Sequence, residues 1–331
     1  MDDNYGVLSA PDETCKLNFL EPIKRPFRLL PSPVQAGILV LSAVFLLGLS
    51  DNLVLLISDQ SSIWQFHAIR SLMTAFIILV FAKSIGHDLK PKRPLFVLLR
   101  SLFLSCAILS YFGALSFLSV AEAGAGLFSS PIFVLIFSVI IFGIRVGFFR
   151  ILAVMIGSVG VYILLQPDLS HFNLLQILPI LSGMFYAMAA LSTRQFCRDE
   201  SVLSLTLAFL SIIGIVGAVM ASILWFFPEL ANTSPDMTYF LTGWEPVGLS
   251  FLFWIAIQAI LSVVALAMLA KAYQLEEASF LAVYEYGFLI FAAFWGWVLW
   301  STVLGVSQIM GIFLIMVAGI IIIIRTARST A

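Results

Sequence analysis

The sequence predicts an all-α integral membrane protein with ten transmembrane helices, arranged as two inverted five-helix repeats. Three observations predict this fold: the composition, ten apolar segments, and the placement of lysine and arginine. Of the 331 residues, 61% are hydrophobic and only 11% are charged, whereas a soluble domain carries about 25% charged residues. The chain has too little polar surface to cover a water-soluble globule, so we expect the bilayer to be its solvent.

Ten segments are apolar and long enough to cross the hydrocarbon core, which takes about 20 residues per helix. Because unpaired backbone groups are too costly in lipid, each segment is expected to be helical. The segments lie near residues 35–57, 63–82, 96–117, 121–142, 148–165, 173–194, 203–227, 248–270, 278–299 and 304–324. Several connections between them are very short, which predicts closely packed helical hairpins.

Lysine and arginine orient these spans. Of the 17 such residues, fifteen lie in tails or in alternate connections, which places all fifteen on one side of the membrane. They are Lys16, Lys24, Arg25, Arg28, Lys83, Lys90, Lys92, Arg93, Arg145, Arg150, Arg194, Arg198, Lys271, Arg325 and Arg328. Because positive loops stay in the cytoplasm, we expect both termini to be cytoplasmic in a protein of the cell (inner) membrane. Arg150 and Arg194 stand at the cytoplasmic ends of their spans, and only Arg70 and Arg100 fall farther inside spans.

These spans divide the chain into four parts. We expect residues 1–33 to be a disordered cytoplasmic tail, 34–166 the first repeat, 173–325 the second repeat, and 326–331 a cytoplasmic C-terminal tail. The net charge of −1 gives no argument for a nucleic-acid partner. The expected partners are the lipid bilayer and a small-molecule solute, and the sequence leaves a homodimer open.

The two halves share a sequence feature. Five spans is an odd number, so the halves must have opposite orientations. Residues 114–131, ALSFLSVAEAGAGLFSSP, align with residues 270–287, AKAYQLEEASFLAVYEYG, because both join two helices through an acidic Ala/Ser turn. Two apolar hairpins can also look alike by chance. If the repeat is real, it indicates a transporter whose solute site lies near the membrane midplane, between halves that rock.

With these features, the chain resembles the drug/metabolite transporter superfamily, in its EamA-domain group, over residues 35–325. The resemblance rests on Arg70 within FHAIRSLMTAFIILVF, on ALSFLSVAEAGAGLFSSPIFVLIFSVIIFG with Pro131, and on RILAVMIGSVGVYILLQP. The segment LSAVFLLGLSDNLVLLISDQ, which contains Asp51, is similar to the subgroup that includes riboflavin and S-adenosylmethionine carriers. The resemblance implies a ten-helix transporter.

Arg70 is the first candidate for a solute-binding residue. It lies roughly 10 Å inside span 2, at 1.5 Å of rise per residue. His67 and Thr74 share its helix face, and Asp51 lies at a matching depth on span 1. An ionisable side chain inside a span is costly and faces a partner or water. Arg70 therefore either clamps span 2 to span 1 through Asp51 or forms the cationic wall of a solute site.

Glu285 is the second candidate, roughly 12 Å into span 9 and near the midplane. A carboxylate there can pair with Arg70, bind a cationic group or carry a proton. The alternative is a permanently protonated, hydrogen-bonded glutamic acid with a structural role.

Further candidates for the solute site are polar and aromatic. Trp254, Gln258 and Ser262 recur at four-residue spacing on span 8, Tyr186 is central on span 6, and Tyr284 begins an aromatic stripe on span 9. An apolar pocket with a few convergent polar groups is the usual small-molecule site. Such stripes also occur where helices simply pack together.

Proline and glycine residues in span 4 are candidates for gating. Pro131 is predicted to kink this span, and Gly124 and Gly126 precede it. Arg100, about five residues from the cytoplasmic end of span 3, can extend its side chain outward to the membrane surface, which favours a structural role and leaves a functional one open.

The sequence argues against an enzyme. His67, His87 and His171 are scattered, and we find no catalytic motif, nucleotide-binding loop or metal-ligand spacing, so no cofactor or metal is expected. The remaining function is a secondary transporter that moves a small amphipathic organic metabolite or drug-like solute by alternating access, driven by protons or by exchange. The alternative is a non-transporting membrane subunit or sensor built on the same fold.

Overall fold

A computed structural model describes residues 27, 29–54, 56–57, 61–114, 124, 126–166, 177–231 and 242–330. The regular structure in these ranges is helical. The helices are α1 (Ser32–Val54), α2 (Ile63–Ser84), α3 (Pro94–Ala114), α4 (Ser130–Ile140), α5 (Phe148–Leu165), α6 (Ile177–Phe196), α7 (Val202–Phe226), α8 (Leu249–Leu275), α9 (Ala278–Glu285), α10 (Gly287–Trp300) and α11 (Val306–Thr330), with a 3₁₀ turn at Pro228–Ala231. Most of the predicted N-terminal tail, residues 1–26, lies outside the described residues.

Eight helical stretches in the described chain are long and apolar enough to cross a membrane. They are α1, α2, α3, α5, α6, α7, α8, and α9 together with α10. Helix α4 and the apolar part of α11, Val306–Ile322, are shorter. The predicted all-α membrane protein is confirmed to this extent, whereas ten spans and their orientation stay predictions. Helix α11 continues to Thr330, so residues 326–330 of the expected C-terminal tail are helical, and the cytoplasmic location of this tail stays a prediction.

Two predicted spans are interrupted. Span 4 was expected to be one helix over 121–142, yet α4 begins only at Ser130, after a turn at residues 128–129. Pro131 therefore starts a helix and does not kink one, since a missing N–H costs nothing in the first turn. Span 9 is divided at Tyr286, a single turn residue between α9 and α10. Ser130 and Tyr286 are equivalent in the aligned segments of the two halves.

The packing joins helices from opposite halves of the chain. The most extensive pairs are α5 with α11, α3 with α6, α2 with α7, and α1 with α8. Helix α1 also packs on α10, and α4 packs on α6. The largest apolar cluster likewise contains residues from both halves, from Ala36 on α1 to Ile322 on α11. Neither half therefore encloses its own core.

Glycines allow α5 and α11 to approach closely. A Cβ atom on Gly311 would lie 2.6 Å from the carbonyl oxygen of Gly160, and a Cβ atom on Gly160 would lie 2.8 Å from the carbonyl oxygen of Gly311. Both neighbours are backbone atoms, which cannot move aside cheaply. Small residues bring membrane helices into this kind of contact.

Replacing Gly311 with alanine is expected to destabilise the protein, because the added methyl group overlaps the α5 backbone. Overpacking of this kind costs about 1–3 kcal/mol. Thermal unfolding of the detergent-solubilised protein measures the effect, and we expect a midpoint several degrees lower. Gly319→Ala on the same helix is the control, since a Cβ atom there meets nothing within 4 Å. Equal midpoints for the two variants would contradict the close contact.

Candidate solute cavity

A cavity of ≈ 240 Å³ lies between the helices. Its walls come from α1, α2, α3, α4 with the turn before it, α6, α7, α8, α9 and α10, which correspond to predicted spans 1–4 and 6–9. Two carboxyl side chains and two arginines are among the residues that line it: Asp51, Glu285, Arg70 and Arg100. The aromatic lining residues are Tyr111, Phe112, Phe128, Tyr186, Phe209, Tyr273 and Phe288. The cavity combines an apolar wall with a few charged groups, as small-molecule sites do.

Arg70 and Asp51 form one charged region of the cavity. The Arg70 guanidinium lies with Nη2 3.2 Å from His67 Nδ1 and is centred 4.7 Å above the Phe66 ring. Asp51 is exposed toward the cavity and lies within electrostatic reach of Arg70. Tyr111 lies near the same carboxylate. The predicted proximity of Arg70 and Asp51 is therefore present.

Glu285 forms a second charged region. It is the last residue of α9, directly before the interruption at Tyr286, and is 7% exposed. The Tyr186 hydroxyl donates a hydrogen bond of 2.6 Å to Glu285 Oε1. The Tyr273 hydroxyl lies beside the same carboxylate without a hydrogen bond of normal geometry. The interrupted helix thus presents a carboxylate to the cavity together with two tyrosines.

Arg100 does not extend its side chain outward to the membrane surface. It is only 7% exposed and lines the cavity. Its Nε donates to Thr193 Oγ1 at 3.1 Å, and its Nη1 donates to the carbonyl oxygen of Leu205 at 3.2 Å. These partners lie on α6 and α7, about a hundred residues later, so sequence reasoning confined to span 3 missed them. The one available signal was an arginine inside a span.

Six of the predicted site residues line the cavity. They are Asp51, Arg70, Pro131, Tyr186, Ser262 and Glu285. His67 stands behind the lining and contacts Arg70. Thr74 is buried, and its hydroxyl donates 2.9 Å to the carbonyl oxygen of Ser71 on its own helix.

The other predicted residues pack against neighbouring helices. Trp254 belongs to an apolar cluster with Phe66 and Phe251, and Gln258 is fully buried beside it on α8. The Tyr284 ring covers Gly37 of α1.

The two predicted gating glycines lie before α4. A Cβ atom on Gly126 would lie 2.1 Å from Pro179 Cβ on α6, whereas one on Gly124 would lie 3.4 Å from Leu165. Gly126 thus allows the chain before α4 to touch α6.

Polar contacts join two loops to the last turn of α8, next to the lining residue Tyr273. Gln274 Nε2 donates to the carbonyl oxygens of Cys197 at 2.9 Å and Glu200 at 2.7 Å. The Glu200 carboxylate accepts the backbone N–H groups of Lys92 and Arg93 at 2.9 and 2.6 Å. We call these five residues the loop junction. It ties the loops after α2 and α6 to the C-terminal end of α8.

Cys197 gives a chemical test of the loop junction. Its side chain is fully buried, and burial raises the pKa of the thiol to about 11. Only the thiolate reacts with maleimide, and a pKa near 11 leaves roughly one thiol in 3,000 ionised at pH 7.5. With Cys15 and Cys106 replaced by serine, we expect slow labelling at pH 7.5 that accelerates as pH rises toward 11. Mass spectrometry measures the labelling rate.

Unfolding in detergent should restore ordinary thiol reactivity, and Gln274→Ala should accelerate labelling of the folded protein because it removes two hydrogen bonds of the loop junction. Folded and unfolded protein that react equally fast at pH 7.5 would show that the junction leaves Cys197 accessible.

Comparisons with known proteins agree with this geometry. Residues 35–166 match the EamA-like transporter family. The pseudopaline exporter CntI of Pseudomonas aeruginosa (strain UCBPP-PA14) is 25% identical over 253 residues, which cover 75% of this chain and 82% of the exporter. The S-adenosylmethionine uptake transporter of Rickettsia bellii (strain RML369-C) is 26% identical over 261 residues, 78% of this chain and 83% of that protein.

A solved crystal structure shares the fold. It superposes with a TM-score of 0.68 at 14% identity, covering 91% of this chain and 99% of the solved one. Together with the apolar helices, the sequence matches identify a membrane protein and a transporter. Residues 35–166 of this chain thus match the EamA-like transporter family, and the relatives to which the chain is similar are named as transporters.

Proposed function

We propose that this protein is a secondary transporter that moves a small amphipathic organic solute across the cytoplasmic membrane by alternating access. The observation that carries the proposal is that the ionisable side chains within the predicted spans face one cavity. Asp51, Arg70, Arg100 and Glu285 all lie on apolar helices, and all four line one aromatic cavity. Ionisable groups at membrane depth mark solute or ion pathways, because lipid offers them no partners.

The packing between the halves supports alternating access. If the ten predicted spans are numbered in order, an inverted repeat relates each span to the one five places later. Span 1 then corresponds to span 6, and span 3 corresponds to span 8. The contact between spans 1 and 8 (α1 and α8) therefore has a counterpart between spans 6 and 3 (α6 and α3), and both contacts occur. The α2–α7 and α5–α11 contacts each join two corresponding spans, 2 with 7 and 5 with 10. This pattern supports two inverted repeats that rock about a central site. The one-sided placement of lysine and arginine supports cytoplasmic termini.

The interruptions of spans 4 and 9 are the proposed gates. Phe128, in the turn before Pro131, stacks on Phe288 of α10 with ring centroids 5.6 Å apart. Both rings line the cavity, and broken helices at the midplane are typical of transporter sites. Gly124 and Gly126 lie in the same interrupted region, where small side chains permit movement against α5 and α6.

The relatives support a small organic solute. One is named for export of pseudopaline and another for uptake of S-adenosylmethionine. The proposed solute therefore belongs to the small metabolites. Arg70 with Asp51, and Glu285, are the proposed contacts to it, and Glu285 is the proposed proton carrier if protons drive transport.

Glu285→Gln is expected to abolish pH-dependent flux in proteoliposomes, because an amide cannot carry a proton, while the yield of folded protein is retained. Uptake of radiolabelled solutes, with S-adenosylmethionine in the panel, measures flux with and without a pH gradient. Glu229→Gln is the matched control, since Glu229 is exposed outside the cavity. If the variant instead fails to fold, Glu285 has the structural role. If wild-type protein moves no solute from a broad panel, the alternative of a non-transporting subunit or sensor is favoured.

A further inference from the structure

The residues that line the cavity are unequally exposed along its length. Asp51, near the C-terminal end of α1, is exposed. Ala270 and Tyr273, near the C-terminal end of α8, are only 1% and 3% exposed although they line the same cavity. The cavity is therefore closed at the end where α8 finishes. In the predicted topology, that end lies on the side with the lysine and arginine connections, which we call the basic side.

On the basic side, Arg150 joins the two halves of the chain. It lies in the first turn of α5, and its Nη1 forms an ion pair with Glu277 Oε2 and donates a hydrogen bond of 3.0 Å to Ser279 Oγ. Its guanidinium carbon lies 5.9 Å from the centroid of the Phe280 ring. Glu277 is the N-cap residue of α9. One arginine of the first half thus holds the first turn of an interrupted span in the second half.

The other end of α9 is fixed to the same helix. Tyr286, the turn residue after α9, is fully buried, and its hydroxyl shares a hydrogen bond of 2.9 Å with Ser158 Oγ. A Cβ atom on Gly157 would lie 2.3 Å from Cε2 of the Tyr286 ring, so glycine lets the ring rest on α5. The contact points are eight residues apart on α5 and nine apart along α9, which are rises of about 12 and 14 Å. Helix α9 therefore lies along α5 and is held at both ends.

These contacts determine where Glu285 lies. Glu285 is the last residue of α9, and all eight residues of this helix are buried. A two-turn helix moves as a rigid element, so the position of its first turn affects the side chain at its end. Arg150 does not line the cavity, but it acts on the cavity through α9.

The Arg150–Glu277 pair has no counterpart in the other half of the sequence. In the aligned segments 114–131 and 270–287, Ala121 takes the place of Glu277. Residues 301–324, which contain span 10 and its start, include no lysine or arginine that could replace Arg150. In an inverted repeat, equivalent elements of the two halves close opposite sides of the membrane. A charge pair present in one half alone therefore stabilises the state that is closed on its own side.

We propose that the Arg150–Glu277 pair is a latch that keeps the cavity closed on the basic side and favours the state accessible from the opposite side. Arg150 is a positioning residue that holds α9 against α5. When the cavity opens to the basic side, Arg150 separates from Glu277, and α9 turns about Tyr286, which Ser158 still holds. This inference rests on the proposed transport function and its topology.

Reporter cysteines test the latch without a solute. Cys15 and Cys106 are replaced by serine and Cys197 by alanine. Ala270→Cys then marks the closed end of the cavity, and Leu47→Cys, at a half-buried lining residue of α1, marks the opposite end. A membrane-impermeant maleimide is added to inverted membrane vesicles for the first reporter and to spheroplasts for the second. With the latch intact, we expect the second reporter to react at least about 10-fold faster, because the alternative state is a minor one.

Variants of the latch should change the two reporters differently. Arg150→Gln and Glu277→Gln should each raise the labelling rate of Ala270→Cys by about 3- to 30-fold, because a charge-assisted contact is lost. The labelling rate of Leu47→Cys should fall or stay the same, since molecules leave the state accessible from that side. The double variant should raise labelling no further than the larger single effect. Arg145→Gln, at an exposed arginine of the connection before α5, is the control and should change neither rate.

Three results would overturn the latch: equal labelling of both reporters with the latch intact, faster labelling of both in the variants, or single effects that add in the double variant. Faster labelling of both reporters would indicate a general loosening of the fold. If Arg150→Gln does not fold, Glu277→Gln decides alone, since the Glu277 side chain is 38% exposed.

Labelling and flux are measured separately. Latch variants that shift the labelling of a protein that moves no solute in proteoliposomes would contradict the transport function alone. Solute flux by the wild-type protein, with labelling unchanged in both latch variants, would contradict the latch alone.

Discussion

The hydrocarbon core offers a charged side chain no partner, and the rest of the structure depends on that constraint. Helices satisfy the backbone, but Asp51, Arg70, Arg100 and Glu285 must find water or polar groups. All four line the same cavity. The helices are therefore rotated so that their charged side chains face inward, whereas apolar side chains such as Phe76, Phe253 and Phe313 form the exposed surface.

Contacts between the halves turn this arrangement into one unit. Helices α2 and α7, and α5 and α11, pair one member of each half, and Gly160 with Gly311 brings the second pair to backbone contact. Glu200 joins the two halves at the loop junction. Its carboxylate accepts hydrogen bonds from the backbone N–H groups of Lys92 and Arg93 in the first half. Its carbonyl oxygen accepts a hydrogen bond from Gln274 in the second half. The cavity itself is lined by helices of both halves, so a movement of one half against the other changes its shape.

Much of the fold follows from local sequence. Apolar length located the helices, since a span needs a nearly fixed number of residues, and depth along α1 and α2 placed Asp51 near Arg70. The predictions that failed concern side chains whose positions depend on packing against helices distant in the sequence. Trp254, Gln258 and Ser262 were predicted to share one face, but positions four apart drift by about 40° per step. Only Ser262 reaches the cavity. The interruption at residues 128–129 lies just before Pro131, and the one at Tyr286 lies just before Gly287. Both segments remain apolar throughout, so hydropathy predicted one continuous helix for each span.

The two hydrogen bonds that hold Arg100 also set an order of events during synthesis. Thr193 and Leu205 are made 93 and 105 residues after Arg100. At a synthesis rate of about 5–20 residues per second, this interval lasts roughly 5 to 20 s. During that time α3 carries a charged side chain whose protein partners do not yet exist. The first half of the chain must therefore wait near water, or be sheltered by the insertion machinery, until α6 and α7 arrive.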